Sequence, residues 1–127
     1  MRPRLPTFFL ASTAAAALGC LTAPEASAGP SRNLGLICTI ASDCPGGHEC
    51  IRLLGVGSQT DGFCSIACAG GDLATCADGY AGPGYPVCSS DRCVIQCTTP
   101  GDPGQCPAGL ACLESAPQAP SYCVRPP

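Results

Sequence analysis

The chain has 127 residues, of which 13 are Cys, 16 Gly and 14 Pro, with no Trp, a single His and six basic residues that are all Arg. So dense a cysteine content excludes most ordinary cytosolic enzymes, because reducing compartments do not hold disulfide frameworks together. From Gly29 onward six Asp and two Glu face four Arg, an acidic balance that makes nucleic acid and anionic membrane surfaces poor partners.

In chain order, the first element is a targeting segment. Residues Met1 to Arg4 form a positive n-region, Leu5 to Leu21 an uncharged, mostly apolar run, and Ala26-Ser27-Ala28 a small-residue cleavage site. This is the three-part pattern of a secretory signal peptide with an N-terminal signal helix over 1–28. The run is short for a spanning helix, which takes about 20 apolar residues. Two processing routes follow. Cleavage after Ala28 gives a free secreted chain; cleavage before Cys20, within Ala17-Leu18-Gly19-Cys20, resembles a bacterial lipobox and makes Cys20 a lipidation candidate. In either case twelve cysteines remain, the even number a disulfide framework requires. A lipid at Cys20 is the sole expected membrane contact.

Residues 29–37 read as a flexible lead-in. Beyond them Leu, Ile, Val and Phe number only 17 in the 99 residues that follow Ala28, below the roughly 20% under which chains tend to disorder without other support. The twelve remaining cysteines fall into three blocks: Cys38, Cys44, Cys50, Cys64; Cys68, Cys76, Cys88, Cys93; and Cys97, Cys106, Cys112, Cys123. The blocks match beyond cysteine. Cys44-Pro45-Gly46-Gly47-His48-Glu49-Cys50 and Cys106-Pro107-Ala108-Gly109-Leu110-Ala111-Cys112 share C-P-x-G-x-x-C, and Cys76-Ala77-Asp78-Gly79 opens the same way before an insertion. Phe63, Arg92 and Tyr122 precede the fourth cysteines, and Cys64-Ser-Ile-Ala-Cys68 parallels Cys93-Val-Ile-Gln-Cys97. The expectation is three tandem cysteine-rich repeats, 38–67, 68–96 and 97–123, followed by a tail, 124–127.

Within each repeat, Gly two or three residues after the second cysteine predicts a tight turn, and Asp61-Gly62 a hairpin turn. Asp43, Asp72 and Asp102 are placed to accept from local backbone amides. Pro and Gly interrupt every window long enough for an amphipathic helix. The fold class is therefore small and disulfide-rich, with loop-and-short-hairpin units and little regular secondary structure. Four cysteines allow three pairings; first with third and second with fourth is favoured among them.

The pattern C-x5-C-P-x-G-x-x-C, continued by Cys64-x3-Cys68, resembles the small cysteine-rich modules of extracellular proteins, including EGF-like and Dickkopf-type units, and the tandem cysteine-rich repeats of bacterial surface proteins. The resemblance spans 38–123 and implies a binding or spacing role rather than catalysis. Calcium-binding EGF-like units carry acidic residues ahead of the first cysteine; Ser31-Arg32-Asn33-Leu34-Gly35 does not match them.

No C-x2-C occurs, which argues against zinc, so no metal or cofactor is expected. His48 reads as an exposed turn residue, neither ligand nor base, and the Gly-rich stretches lack the helix and basic residue of a phosphate loop. An enzyme is not expected. Two loops depart from the repeat, 51–60 and 80–87, and Arg52, Leu53, Leu54, Tyr80 and Tyr85 in them are candidate protein contacts, Tyr and Arg being favoured interface anchors. The reading is an exported, non-enzymatic binding or structural protein, secreted or lipid-anchored to the cell envelope. The alternative is a small protease inhibitor presenting a constrained loop near Arg52-Leu53.

Overall fold

The computed structural model describes residues 29–70 and 73–127. The expected signal segment and signal helix, with Cys20, and Asp72 lie outside the described residues. Among the described residues there are seven short strands and one short helix: β1 (Ile37–Cys38), β2 (Glu49–Ile51), β3 (Gly62–Ser65), α1 (Leu73–Ala77), β4 (Tyr85–Ser89), β5 (Arg92–Cys97), β6 (Ala111–Glu114) and β7 (Ser121–Val124). Two 3₁₀ turns, Ala41–Asp43 and Pro103–Gln105, precede the second cysteines of the first and third blocks. The strands form two antiparallel sheets, one in the order β1-β3-β2 and one in the order β4-β5-β7-β6. The fold is small and disulfide-rich. Among the described residues, no helix is long and apolar enough to cross a membrane.

Six disulfides join Cys38–Cys50, Cys44–Cys64, Cys68–Cys88, Cys76–Cys93, Cys97–Cys112 and Cys106–Cys123. In every block the first cysteine meets the third and the second meets the fourth, with no bond between blocks. The third and fourth cysteines are direct cross-strand neighbours each time: Cys50 opposite Cys64, Cys88 opposite Cys93, Cys112 opposite Cys123. Each hairpin thus offers two adjacent anchor points to the loop that precedes it.

The turn after the second cysteine repeats as well. Gly47, Gly79 and Gly109 take φ of +78°, +85° and +85°, the left-handed region that glycine reaches without steric cost. The next amide then returns to the carbonyl three residues back: His48 to Pro45 (3.4 Å), Tyr80 to Ala77 (3.1 Å) and Leu110 to Pro107 (3.1 Å). In the middle block α1 precedes this turn. It is a single short turn of helix, five residues long, with Cys76, at 0% exposure, bolted to Cys93.

The hairpin turn lies elsewhere than Asp61-Gly62. Gly62 is a strand residue opposite Cys38, where a Cβ would collide with the Ile51 carbonyl oxygen. The two-residue turn is instead Ser90-Asp91, with φ of +50° and +62°, the primed geometry that matches strand twist between β4 and β5. Asp tolerates this region better than most residues, which is the signal available in the sequence.

One apolar core serves all three blocks. Leu34, Val56 and Phe63 of the first part pack with Val94 and Ile95 of β5 and with Leu110 and Val124 of the third block, among buried cystines. Sheet continuity adds to this, since β7 pairs with β5 through Gln96↔Tyr122 and Cys97↔Ser121. Residues 29–37 are packed rather than a loose lead-in: Ser31 is 0% exposed and donates to the Thr75 carbonyl at 2.7 Å, its amide bonds Asp78, and Leu34 is buried. At the other end Val124 is a buried β7 residue and Arg125 donates to the Gly109 carbonyl at 2.8 Å, so both belong to the fold rather than to a tail.

Candidate binding surface

The 51–60 loop is braced from within. The Arg52 guanidinium donates to the carbonyls of Thr60 and Thr39, and the Gln59 amide reaches the Leu53 and Gly57 carbonyls at 3.0 and 3.2 Å. Ser58 accepts from the amides of Thr60 and Asp61, and its own amide donates to the Arg125 carbonyl at 2.8 Å, pinning the loop to the end of the third block. At its tip a turn closes from Leu53 to Val56, with Gly55 at φ +74° and the Val56 amide on the Leu53 carbonyl. Leu53 packs on the core and Val56 is buried. Leu54 is left 94% exposed.

The 80–87 segment divides in two. Tyr80 packs against the core and its hydroxyl donates to the Pro83 carbonyl; burial pushes its phenol pKa up to about 12. Tyr85 opens β4, remains 62% exposed and lines an open cleft of about 430 Å³ with Gly82, Pro83, Thr98 and Gln105. The Gln105 side chain is already engaged, accepting from the Thr98 and Thr99 amides at 2.6 and 3.0 Å.

Of the five contact candidates, then, Arg52, Leu53 and Tyr80 hold the fold together, and Leu54 and Tyr85 face outward. Arg52 and Leu53, the residues of the inhibitor alternative, are both partly exposed. The Arg52 head group is turned back onto main-chain carbonyls and Leu53 lies on the core, while the exposed Leu54 sits in a closed turn rather than the extended segment a cleft would take.

A second apolar surface was not anticipated. Leu36, Ile37 and Ile40 are 48%, 51% and 58% exposed around β1, the outer strand of its sheet. Beside them Ile37, Cys38, Thr39, Asp43, Asp61 and Arg125 line a cleft of about 240 Å³. The signal in the sequence was Leu36-Ile37-Cys38-Thr39-Ile40, an apolar run with polar neighbours that the lead-in reading absorbed. The Asp43 carboxylate accepts from the Thr39 and Ile40 amides at 2.8 and 3.1 Å, and these bonds lower its pKa from the ordinary value. Asp102 accepts likewise from the Gly104 amide at 2.9 Å. An ion pair, Arg92 to Glu49 at 2.7 Å, bridges β5 and β2 on the surface.

His48 is not exposed. It is 6% accessible, and neither ring nitrogen has a hydrogen-bond partner. It occupies the place that Tyr80 and Leu110 fill in the other blocks, directly after the turn glycine, where the chain points inward.

Three cysteine Sγ atoms lie within 4.8 Å of one another in each block: Cys38, Cys44 and Cys64; Cys68, Cys76 and Cys88; Cys97, Cys106 and Cys123. As half-cystines they carry no thiolate, the form that ligates a cation. What the clusters show is that the two disulfides of a block touch.

No family model, curated protein or solved structure matches the chain.

Proposed function

We propose that the chain is an exported, non-enzymatic protein of three tandem cysteine-rich units that acts as a binding or structural element outside the cell or at its surface. The observation that carries this reading is the set of six disulfides confined to their blocks around a small shared core. Such a framework belongs to an oxidising compartment. It fixes loops whose apolar tips gain nothing from the core: Leu54, Tyr85 and the Leu36-Ile37-Ile40 surface are the contact positions, and a protein partner is the ligand class that such exposed apolar side chains suit. The repeated turn and cross-strand cystine geometry supports three units of one design, in keeping with the resemblance to extracellular cysteine-rich modules. Export proceeds through the 1–28 segment, with either a free chain from Gly29 or a lipid at Cys20.

The test begins with the intact mass of the chain recovered from its native export route, before and after reduction and alkylation, with the N-terminus read from the same sample. Twelve thiols appearing only on reduction support the framework; thiols alkylated without reductant overturn it. Photo-crosslinking residues placed at positions 37, 54 and 85, with exposed Glu114 as the control position, then probe the contact role. Discrete crosslinked species from the first three sites, absent from the control, support a binding element, and their absence leaves a purely structural one.

A further inference from the structure

Five of the six disulfides have at least one buried half, and four have both. Cys68–Cys88 alone has neither: both residues are partly exposed. Cys68 is followed by exposed Ala69 and Gly70, and Cys88 lies on β4, the outer strand of the four-stranded sheet. Both sulfurs lie within 4.8 Å of the Cys76 Sγ, whose own bond runs to Cys93. Cys93 in turn stands directly across the hairpin from Cys88. An accessible disulfide therefore touches a buried one, and the far sulfur of the buried bond is the register partner of the near one.

From this arrangement we infer that Cys68–Cys88 is a thiol-exchange site, open to a low-molecular-weight thiol and coupled to an internal rearrangement of the middle block. The thiolate attacks the Cys88 sulfur, a mixed disulfide forms there, the Cys68–Cys88 bond breaks and its electron pair leaves on Cys68. The Cys68 thiolate attacks the adjoining Cys76 sulfur, forming Cys68–Cys76 and expelling Cys93 as thiolate. Cys93 then attacks the mixed disulfide on Cys88, closing Cys88–Cys93 and returning the incoming thiolate. The three exchanges are redox-neutral, and each transfers one sulfur–sulfur bond. Directly opposed residues on antiparallel strands lie about 4.5–5.5 Å apart at Cα, within the roughly 4.4–6.8 Å a disulfide spans, so the final bond fits the existing hairpin.

The other blocks share the sulfur clusters and the cross-strand pairs but not the entry point. Cys50 is partly exposed, yet its partner Cys38 is buried, and both bonds of the third block are enclosed. Exchange in the third block waits on local opening, which slows it, and the first block offers one approachable sulfur, Cys50, where the middle block offers two.

The experiment uses the full oxidised chain incubated with reduced glutathione, quenched with a maleimide and mapped by mass spectrometry of its peptides. The expected map has the first adduct on Cys88, with Cys68–Cys76 and Cys88–Cys93 linkages following, at a rate roughly ten-fold or more above exchange at any other pair. First adducts at Cys38–Cys50, or equal reaction across the three blocks, overturn the inference. A Cys68→Ser/Cys88→Ser variant adds a second reading: early adduct formation falls by about the same factor, whereas an unchanged rate overturns it. The map of the native chain decides the matter whether or not that variant folds.

Discussion

The Ser65 hydroxyl donates to the main-chain carbonyl of Cys93 across 28 residues of sequence, with Ser65 and Cys93 both at 0% exposure. Together with the Cys93 amide on the Ile66 carbonyl at 2.9 Å, it joins the first sheet to β5 at a point where no disulfide crosses between blocks. Ser65→Ala leaves that carbonyl lone pair without its side-chain donor in a closed site, a loss of about 1–3 kcal/mol. Chemical denaturation of the oxidised protein measures it. An unchanged midpoint shows that the disulfides, not this contact, hold the blocks in register.

Gly57 stands at φ +73° against the end of β7, where a Cβ would collide with the Arg125 carbonyl oxygen. Gly57→Ala therefore strains the backbone and pushes the 51–60 loop off the third block, costing more than about 1 kcal/mol. Hydrogen exchange reads the effect locally: the Ser58 amide, which donates to Arg125, loses protection. Gly55 at the loop tip meets nothing, so Gly55→Ala carries only the φ penalty and leaves Ser58 protected.

His48 fills an inward position with both ring nitrogens unbonded, whereas the matching residue of the third block is the buried Leu110. Replacing an unsatisfied polar ring by an apolar side chain removes its desolvation cost, so His48→Leu raises stability, by about 1–2 kcal/mol. A lower melting temperature for this variant sinks the assignment of position 48 as an apolar site.

The Tyr80 phenol is held neutral by burial until about pH 12, against an ordinary value of 10.0. The unfolded chain therefore gives up this proton first as pH rises, and stability, complete below pH 10, declines between 10 and 12. An ultraviolet titration of tyrosinate shows a component ionising near the upper value, and Tyr80→Phe removes that component and flattens the alkaline decline.

Asp43 gives the opposite sign. Its carboxyl pKa lies below the ordinary 3.8 because the Thr39 and Ile40 amides donate to the ionised form. Its contribution is complete above the unfolded value and is lost as pH falls through the folded one. Asp43→Asn lowers the melting temperature at neutral pH and shows a smaller further loss on acidification than the parent chain.

The blocks of four cysteines and the glycine turn after each second cysteine were legible because they depend on short spacings, whereas spacing favoured one of three pairings without fixing it. Four cysteines in a block of under 30 residues, with a glycine at a fixed offset, leave few ways to close small loops. The Asp43 and Asp102 amide contacts were legible for the same reason, each spanning four residues or fewer. The bracing role of Arg52 was not legible because its partner carbonyl at Thr39 belongs to another loop, 13 residues away. The Ser90-Asp91 turn lacked a glycine to announce it, and Asp61-Gly62 carried one for a different purpose: a close approach to the Ile51 carbonyl.

Sequence alone determined that this chain needs covalent closure, since too few large apolar residues remain from Gly29 onward to hold a core unaided, and it placed the cysteines in three matching blocks. Only the tertiary structure decided that those blocks share one core, that β7 of the third block extends the sheet of the middle one, that His48 points inward, and that Cys68–Cys88 is the disulfide with both halves partly exposed. The physical reason is range. Bond closure and turn geometry are set by neighbours along the chain, whereas burial is set by which surfaces meet, and the contacts of Leu34, Val56 and Gly57 with the third block join residues that no local pattern relates.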